Sequence, residues 1–388
     1  MRSLILLLEG LFWFSLAMIA MTYVVYPLSM WVAGRISLSS PAGKFETEEW
    51  PAVTLVIAAY NEEKVIASKI ENSLALDYPA NKLEIMVVSD ESTDQTDDIV
   101  RSFEDRGVVL SRQEPRRGKS AGLTNAVPTA KGEILVFSDA NSMYQPDAIR
   151  HLVKPFEQKA IGYVVGAQTY DLEEGSTVSR SEIFYWNIEL AIKAGESAVG
   201  SVVGGDGAIF ALRKELFEPL REDDLSDFVT PLRIIVKGYR GIFEARAVCS
   251  EETAPDYGGE YRRKVRIANR AFRTVLRVPQ ALNPFRVGFF ALQLFFHKVV
   301  RWFVPYLMLL CLLSSIALTL AGFGWVYGLA LALQLVGYGL AWQFSRNHQS
   351  ALPLASLCYY FCLGNLAALQ GTLGVVLGKN ITMWTPER

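Results

Sequence analysis

Cysteine and net charge are both scarce in this chain, and each scarcity removes a class of explanation. Cysteine occurs four times in 388 residues, at Cys249, Cys311, Cys358 and Cys362, too few and too scattered for a disulfide framework. Cys358 and Cys362 can share a helix face, but no histidine or acidic residue nearby completes a metal site. A formal net charge of −2 exerts no global pull on nucleic acid, and no nucleic-acid motif occurs. Only 20% of residues are charged against 51% hydrophobic, a greasier balance than that of a typical soluble protein. A P-loop is missing as well: Gly118-Lys119-Ser120 has its ending, but position 113, where the pattern requires glycine, is Gln113. What remains is a cationic loop opening a helix, readable as an anion site or as a solvated basic turn.

The apolar excess sits at the two ends. Residues 1–34 read as an N-terminal transmembrane anchor, with 10–33 almost uncharged and long enough to cross a bilayer. Glu9 interrupts the early apolar run, which then continues past signal-peptide length, so a retained anchor is expected. Arg35 and Lys44 place the next segment in the cytosol, beginning with a polar linker at 35–50. Toward the other end, 281–302 carries Arg286, His297, Lys298 and Arg301 among apolar residues and predicts an interfacial amphipathic helix. Residues 303–378 predict transmembrane helices at 303–321, 325–344 and 351–377, divided by the polar break Arg346-Asn347-His348, before a polar tail at 379–388.

Between them, residues 51–280 alternate strand and helix signals, as in an α/β domain with a mostly parallel sheet. Ile134 to Phe137 is a continuous apolar run, as for a strand buried on both faces, and it ends in Ser138-Asp139-Ala140-Asn141. Parallel strands present their chemistry at their carboxyl ends, which puts Asp139 at the lip of a cleft, where a carboxylate can hold a divalent cation. A second run ends in Ser89-Asp90-Glu91-Ser92-Thr93-Asp94; helix capping explains Asp94 but not Asp90. Gly204-Gly205-Asp206-Gly207 lets a backbone approach a ligand or makes a tight turn. Arg262, Arg266, Arg270, Arg273 and Arg277 share one helical face, suited to a diphosphate or to anionic lipid headgroups.

In this order the motifs resemble the membrane-embedded inverting glycosyltransferases of family 2, the group of exopolysaccharide, hyaluronan and cellulose synthases. The resemblance covers about residues 50–302. It is carried by Val56-Ile57-Ala58-Ala59-Tyr60-Asn61-Glu62, Ser89-Asp90-Glu91-Ser92-Thr93-Asp94, Arg117-Gly118-Lys119, Ser138-Asp139-Ala140-Asn141, Gly204-Gly205-Asp206-Gly207 and Ser226-Asp227. It implies a GT-A, Rossmann-like catalytic domain with helices on both faces of its sheet, flanked by transmembrane helices in the inner membrane. It also implies a hexosyltransferase that moves a sugar from a nucleotide donor, a UDP-sugar by expectation, to a glycan or lipid-linked acceptor. Ala58, Tyr60, Glu62 and Asp90 would then line the nucleotide pocket, with Asp90 reading the base. Lys119 and Arg266 would lie near the diphosphate. Asp139 and Asn141 would hold Mg²⁺ or Mn²⁺, Gly204, Gly205, Asp206 and Gly207 would shape the acceptor site, and Asp227 would be the general base.

The chain departs from the family pattern in three places. The family's aspartate-x-aspartate is Asp139-Ala140-Asn141, which has lost one charge. The usual Asp-Gly is Asp90-Glu91. The Gln-x-x-Arg-Trp of processive members, sought at the matching helix, reads Arg263-Lys264-Val265-Arg266-Ile267 and lacks the tryptophan. A processive synthase that exports its polymer, a nucleotidyltransferase and a catalytically weak nucleotide-sugar-binding scaffold are the competing readings.

Overall fold

The computed structural model describes residues 2–37, 49–171, 177–252, 257–346 and 353–381. Most of the predicted linker, the break at Asn347-His348 and the end of the predicted tail lie outside the described residues. Eight strands form one sheet: β1 (Val53–Ala59), β2 (Leu83–Asp90), β3 (Val108–Gln113), β4 (Ile134–Asp139), β5 (Met143–Tyr144), β6 (Ile161–Asp171), β7 (Phe210–Arg213) and β8 (Arg240–Glu252). Their order is β3-β2-β1-β4-β7-β6-β8-β5. The first four are mutually parallel, whereas β7 runs antiparallel to both β4 and β6.

Side-chain alternation explains why the parallel strands are apolar throughout. Val56, Met86, Leu135 and Phe137 enter the core on one face, while Leu55, Ile57, Val87 and Val136 enter the core on the other. Each such side chain contributes roughly 1.5–3 kcal/mol by leaving water, so the block holds its carboxyl ends rigidly. Register then fixes the chemistry: Ala58 pairs with Val88 on one side and with Asp139 on the other. The chain turns from β1 to β2 and β3, then returns to β4 on the opposite flank. That reversal opens a crevice at the strand ends.

Among the described residues three helices are long and apolar enough to cross a membrane, at Arg2–Ile36, Phe290–Leu320 and Trp325–Arg346. The predicted division at 302 is absent. Chain breakers fall earlier, at Pro284 and at Gly288 with φ 60°, and from Phe290 the helix continues through a π turn at Phe295–Val299 into Val300–Leu320. The last apolar tract forms the helix Pro353–Val376, which lies against the amphipathic helix Tyr257–Arg277. Asn269 Nδ2 donates to Gly371 O at 3.0 Å and Tyr261 Oη to Gln370 Oε1 at 2.5 Å.

The first apolar helix docks on the α/β domain through glycine. Gly195, in the helix Thr177–Val199, abuts the Met30 backbone so closely that a Cβ would overlap the Met30 carbonyl, and Gly34 faces Gly195 N. Close small-residue crossings of this kind hold helices in lipid by packing alone. Gly195→Leu is therefore expected to lower the melting temperature of the detergent-solubilised protein by several degrees. Gly10→Leu, whose Cβ meets open space, should leave it unchanged. Equal melting of both variants would mean that this crossing contributes nothing to stability.

Candidate active site

The loops after β1 and β2 are tied together before any ligand is considered. Asn61 adopts φ 54°, where short amide side chains are tolerated, and its Oδ1 accepts from Thr93 N at 2.8 Å. Its own N–H donates to Ser92 Oγ at 3.1 Å. The Tyr60 ring carries the Arg116 guanidinium 3.5 Å above its centroid, a flat cationic platform beside Ala58.

Asp90 lies against that platform, but its oxygens are engaged within the protein. Gln113 Nε2 donates to Oδ1 at 2.5 Å, Arg117 N to Oδ1 at 3.0 Å, and Gly118 N to Oδ2 at 2.8 Å. Its visible work is to pin the loop 114–118, which aims Lys119 into the cleft. Glu62 is displaced further from expectation. It is buried behind the loop rather than in the cavity wall, its N–H donates to Thr96 Oγ1 at 2.7 Å, and its carbonyl opens the next helix.

The carboxylates converge on a missing side chain. Lys119 Nζ lies 2.5 Å from Asp139 Oδ1. A Cβ on Gly207 would stand 3.5 Å from Asp139 Oδ2, 3.5 Å from Asp227 Oδ2 and 3.7 Å from Lys119 Nζ. Glycine thus leaves a hollow bounded by two carboxylates and one ammonium. Asp227 is the second residue of the helix Ser226–Val236, and Gly205 N donates to its carbonyl at 2.5 Å, tying the glycine loop to it. Burial pushes the Asp227 carboxyl up; Lys119 opposes this, and Asp206 and Asp139 add to it. Burial pulls Lys119 down, but Asp139, Asp227 and Glu251 outweigh it and the net shift is upward. Asp206 lines the cavity and is paired with Lys193 at 2.8 Å, both largely buried, an ion pair that anchors this loop.

Two buried groups beside this site were missed in the sequence. Glu251, at the end of β8, accepts from Gln168 Nε2 at 2.8 Å and from Ser142 Oγ, and burial followed by Asp139 pushes it to about 7. Lys69 is fully buried, donates to Ser142 O and sits 4.0 Å from the Tyr144 ring centroid; burial pulls it to about 7. It props the turn that carries Asn141. A signal for it existed: Lys69 interrupts the apolar stripe of its helix between Ile66 and Ile70.

The arginine face divides. From Arg262 to Arg277 the helix rises about 22 Å, too far for one diphosphate. Arg277 donates to Asp223 Oδ1 at 2.7 Å and Asp224 Oδ1 at 2.9 Å, and Arg273 donates to Lys379 O at 2.8 Å. Arg262, Arg266 and Arg270 line the cavity instead, and Arg270 also donates to Ile381 O at 2.8 Å. The Arg-Trp pair sought at 263–267 occurs at Arg301-Trp302, preceded at the motif's spacing by Lys298, and all three line the cavity. The Trp302 ring stands edge-on to Phe228, 6.1 Å between centroids, next to Asp227.

These groups share one cavity of 1730 Å³, running from Ala58 and Tyr60 past Asp139, Asn141 and Asp227 to Tyr23 and Asn365 on the apolar helices. Among the described residues no three His, Cys, Asp or Glu side chains cluster closely enough to cage an ion. One free Asp139 oxygen with Asn141 nearby fits a cation that arrives with a diphosphate, as Mg²⁺ commonly does.

A curved, mostly parallel sheet with carboxylates at its strand ends is the GT-A arrangement. A mannosyltransferase from Pyrobaculum calidifontis, solved with GDP-Man and Mn²⁺, superposes with a TM-score of 0.67 over 93% of this chain and 99% of its own, at 24% identity. Residues 54–221 match the family model Glycosyl transferase family 2, and the chain carries a glycosyltransferase domain of that family. The beta-monoglucosyldiacylglycerol synthase of a Nostoc species is 32% identical over 118 residues, 29% of this chain. The poly-beta-1,6-N-acetyl-D-glucosamine synthase of Staphylococcus aureus is 23% identical over 271 residues, 66% of this chain. The matches span 25% and 65% of those two relatives.

Proposed function

We propose that this chain is a membrane glycosyltransferase that moves a sugar from a nucleotide-sugar donor to a hydroxyl of a glycan or lipid-linked acceptor. The observation that carries the reading is the Gly207 hollow, with Asp139 and Lys119 on one side and Asp227 on the other. The base would lie near the Tyr60–Arg116 platform, and Lys119, with Arg266 in the cavity wall, would face the diphosphate. Asp227 would take the proton of the acceptor hydroxyl while the acceptor oxygen bonds to the anomeric carbon. The bond from that carbon to the diphosphate breaks on the opposite side, so configuration inverts and a nucleoside diphosphate leaves. Asp139 and Asn141 would hold Mg²⁺ or Mn²⁺, whose charge would neutralise the leaving group. Trp302, packed against Phe228 in the cavity wall, would bound the acceptor sugar with apolar surface.

Arg35 stands in the last turn of the first apolar helix, which supports a cytosolic catalytic domain on a bacterial-type inner membrane, on the side where nucleotide sugars are made. The test is nucleoside diphosphate release by the purified full chain across a panel of UDP- and GDP-sugars, with Mg²⁺ or Mn²⁺. Release from one donor, with labelled sugar recovered on an added lipid or glycan, is the expected result. Product size then separates single addition from polymerisation. Binding without release from any donor would leave a nucleotide-sugar-binding scaffold.

A further inference from the structure

A second hollow lies among the helices Arg2–Ala20, Val300–Leu320, Trp325–Arg346 and Pro353–Val376, with a volume of 450 Å³. Its wall is largely apolar, including Leu16, Met308, Leu333 and Gly337. Cys358 and Phe361 line both this groove and the catalytic cavity, so a single helical turn separates the two spaces.

At that boundary the structure presents an unused acceptor. Asn365 lines the catalytic cavity one turn beyond Phe361, is 6% exposed, and its Oδ1 has no hydrogen-bond partner among the described residues. Its Nδ2 donates to Phe361 O at 2.9 Å and lies 3.5 Å from Tyr23 Oη, and the Tyr23 ring stands edge-on to Phe361. A buried amide oxygen without a donor is unfavourable, and a hydroxyl brought by a ligand would satisfy it. On the protein side, Glu189, paired with Arg301 and 3.6 Å from Lys298, also lines this part of the wall, so the region offers both donors and acceptors.

We propose that the acceptor is a membrane lipid whose hydrocarbon chain lies in this groove and whose hydroxylated head passes Phe361, meets Asn365 and reaches Asp227. The inference rests on the glycosyltransferase reading and names the acceptor class within it. The groove is of ligand size, apolar where a chain would lie, and shares the wall residues Cys358 and Phe361 with the cavity where a hydroxyl must react. Lateral entry from the bilayer would let a lipid present its head without its chain leaving apolar surroundings.

The probe is a dodecyl glucoside with a diazirine at the end of its chain, photolysed with the full-length protein in lipid nanodiscs and mapped by mass spectrometry. Labelling is expected to concentrate at Leu333, Gly337, Cys358 and Cys362. Gly337→Leu fills the groove, and because a Cβ at 337 meets open space the helix should still fold. It should cut that labelling about tenfold, by excluding a few methylene groups. Labelling spread evenly over lipid-facing positions such as Leu4, Leu7 and Leu320, and indifferent to Gly337→Leu, would overturn the proposal. Donor hydrolysis without acceptor reports the catalytic domain alone. If hydrolysis persists while labelling avoids the groove, only the lipid assignment falls. If no nucleotide sugar is hydrolysed, the transferase reading falls, and the acceptor proposal with it.

Discussion

Replacing Asp227 with asparagine is expected to lower sugar transfer about 1000-fold while donor binding changes little. The side chain keeps its shape, and the hollow at Gly207 stays open, but no group remains to accept the acceptor's proton. Asp139 is not expected to substitute, since Lys119 holds one of its oxygens at 2.5 Å and in the proposed reaction it would face the diphosphate. Isothermal titration with the donor, paired with a transfer assay, separates the two effects. An asparagine variant that transfers at the unmodified rate would remove Asp227 from the mechanism.

Stability and pH should move in a linked way. Burial raises the Asp227 carboxyl, so the folded protein holds that proton more tightly than the unfolded chain does. Its stabilising contribution is present below the unfolded value, near 3.9, and is lost as pH rises through the folded value. At neutral pH the ionised carboxylate therefore opposes folding, and Asp227→Asn should melt no lower than the unmodified protein. Transfer, which needs the ionised form, should fall as pH is lowered through a range above that of ordinary carboxylates. Glu251, pushed to about 7, titrates nearby. The asparagine variant separates them, because any limb left near that pH belongs to Glu251.

The parts of this site that are legible in the sequence owe it to the sheet. β1, β2 and β4 are buried on both faces, so their central residues read as apolar runs, and the polar residues that end them stand out at Tyr60, Asp90 and Asp139. Asp227 is legible only through its place in a series of motifs, since Asp223, Asp224 and Asp227 look alike until Gly205 and Gly207 are seen to face the last of them. Glu251 and Lys193 reach the cavity from β8 and from the long helix before the glycine loop, contacts with no local pattern. The arginine face misleads because a shared helical face says nothing of length: its far end neutralises Asp223 and Asp224. Arg301 and Trp302 are hidden by the expected helix end at 302, whereas the helix continues to Leu320.

Asp139→Ala should be the second severe lesion, costing about 100-fold or more in transfer and removing any response to Mg²⁺ or Mn²⁺. The reasoning is one of charge. Asp139 and Lys119 cancel, Asp227 across the Gly207 hollow leaves a single net negative charge, and Asn141 adds an amide dipole but no charge, so the unliganded site should hold a free divalent cation only weakly. A diphosphate brings the missing negative charge, and cation and nucleotide should bind together. Manganese titrated alone should give little heat, and manganese titrated with the nucleoside diphosphate present should give a saturating isotherm that Asp139→Ala abolishes. Lys119→Ala provides the opposing case: it frees the second Asp139 oxygen, so cation binding without nucleotide should strengthen even as transfer falls. Should the chelator-treated protein instead transfer at its full rate, Lys119 would be the cation that the leaving diphosphate meets, and its short contact with Asp139 would be the resting position of a catalytic ammonium.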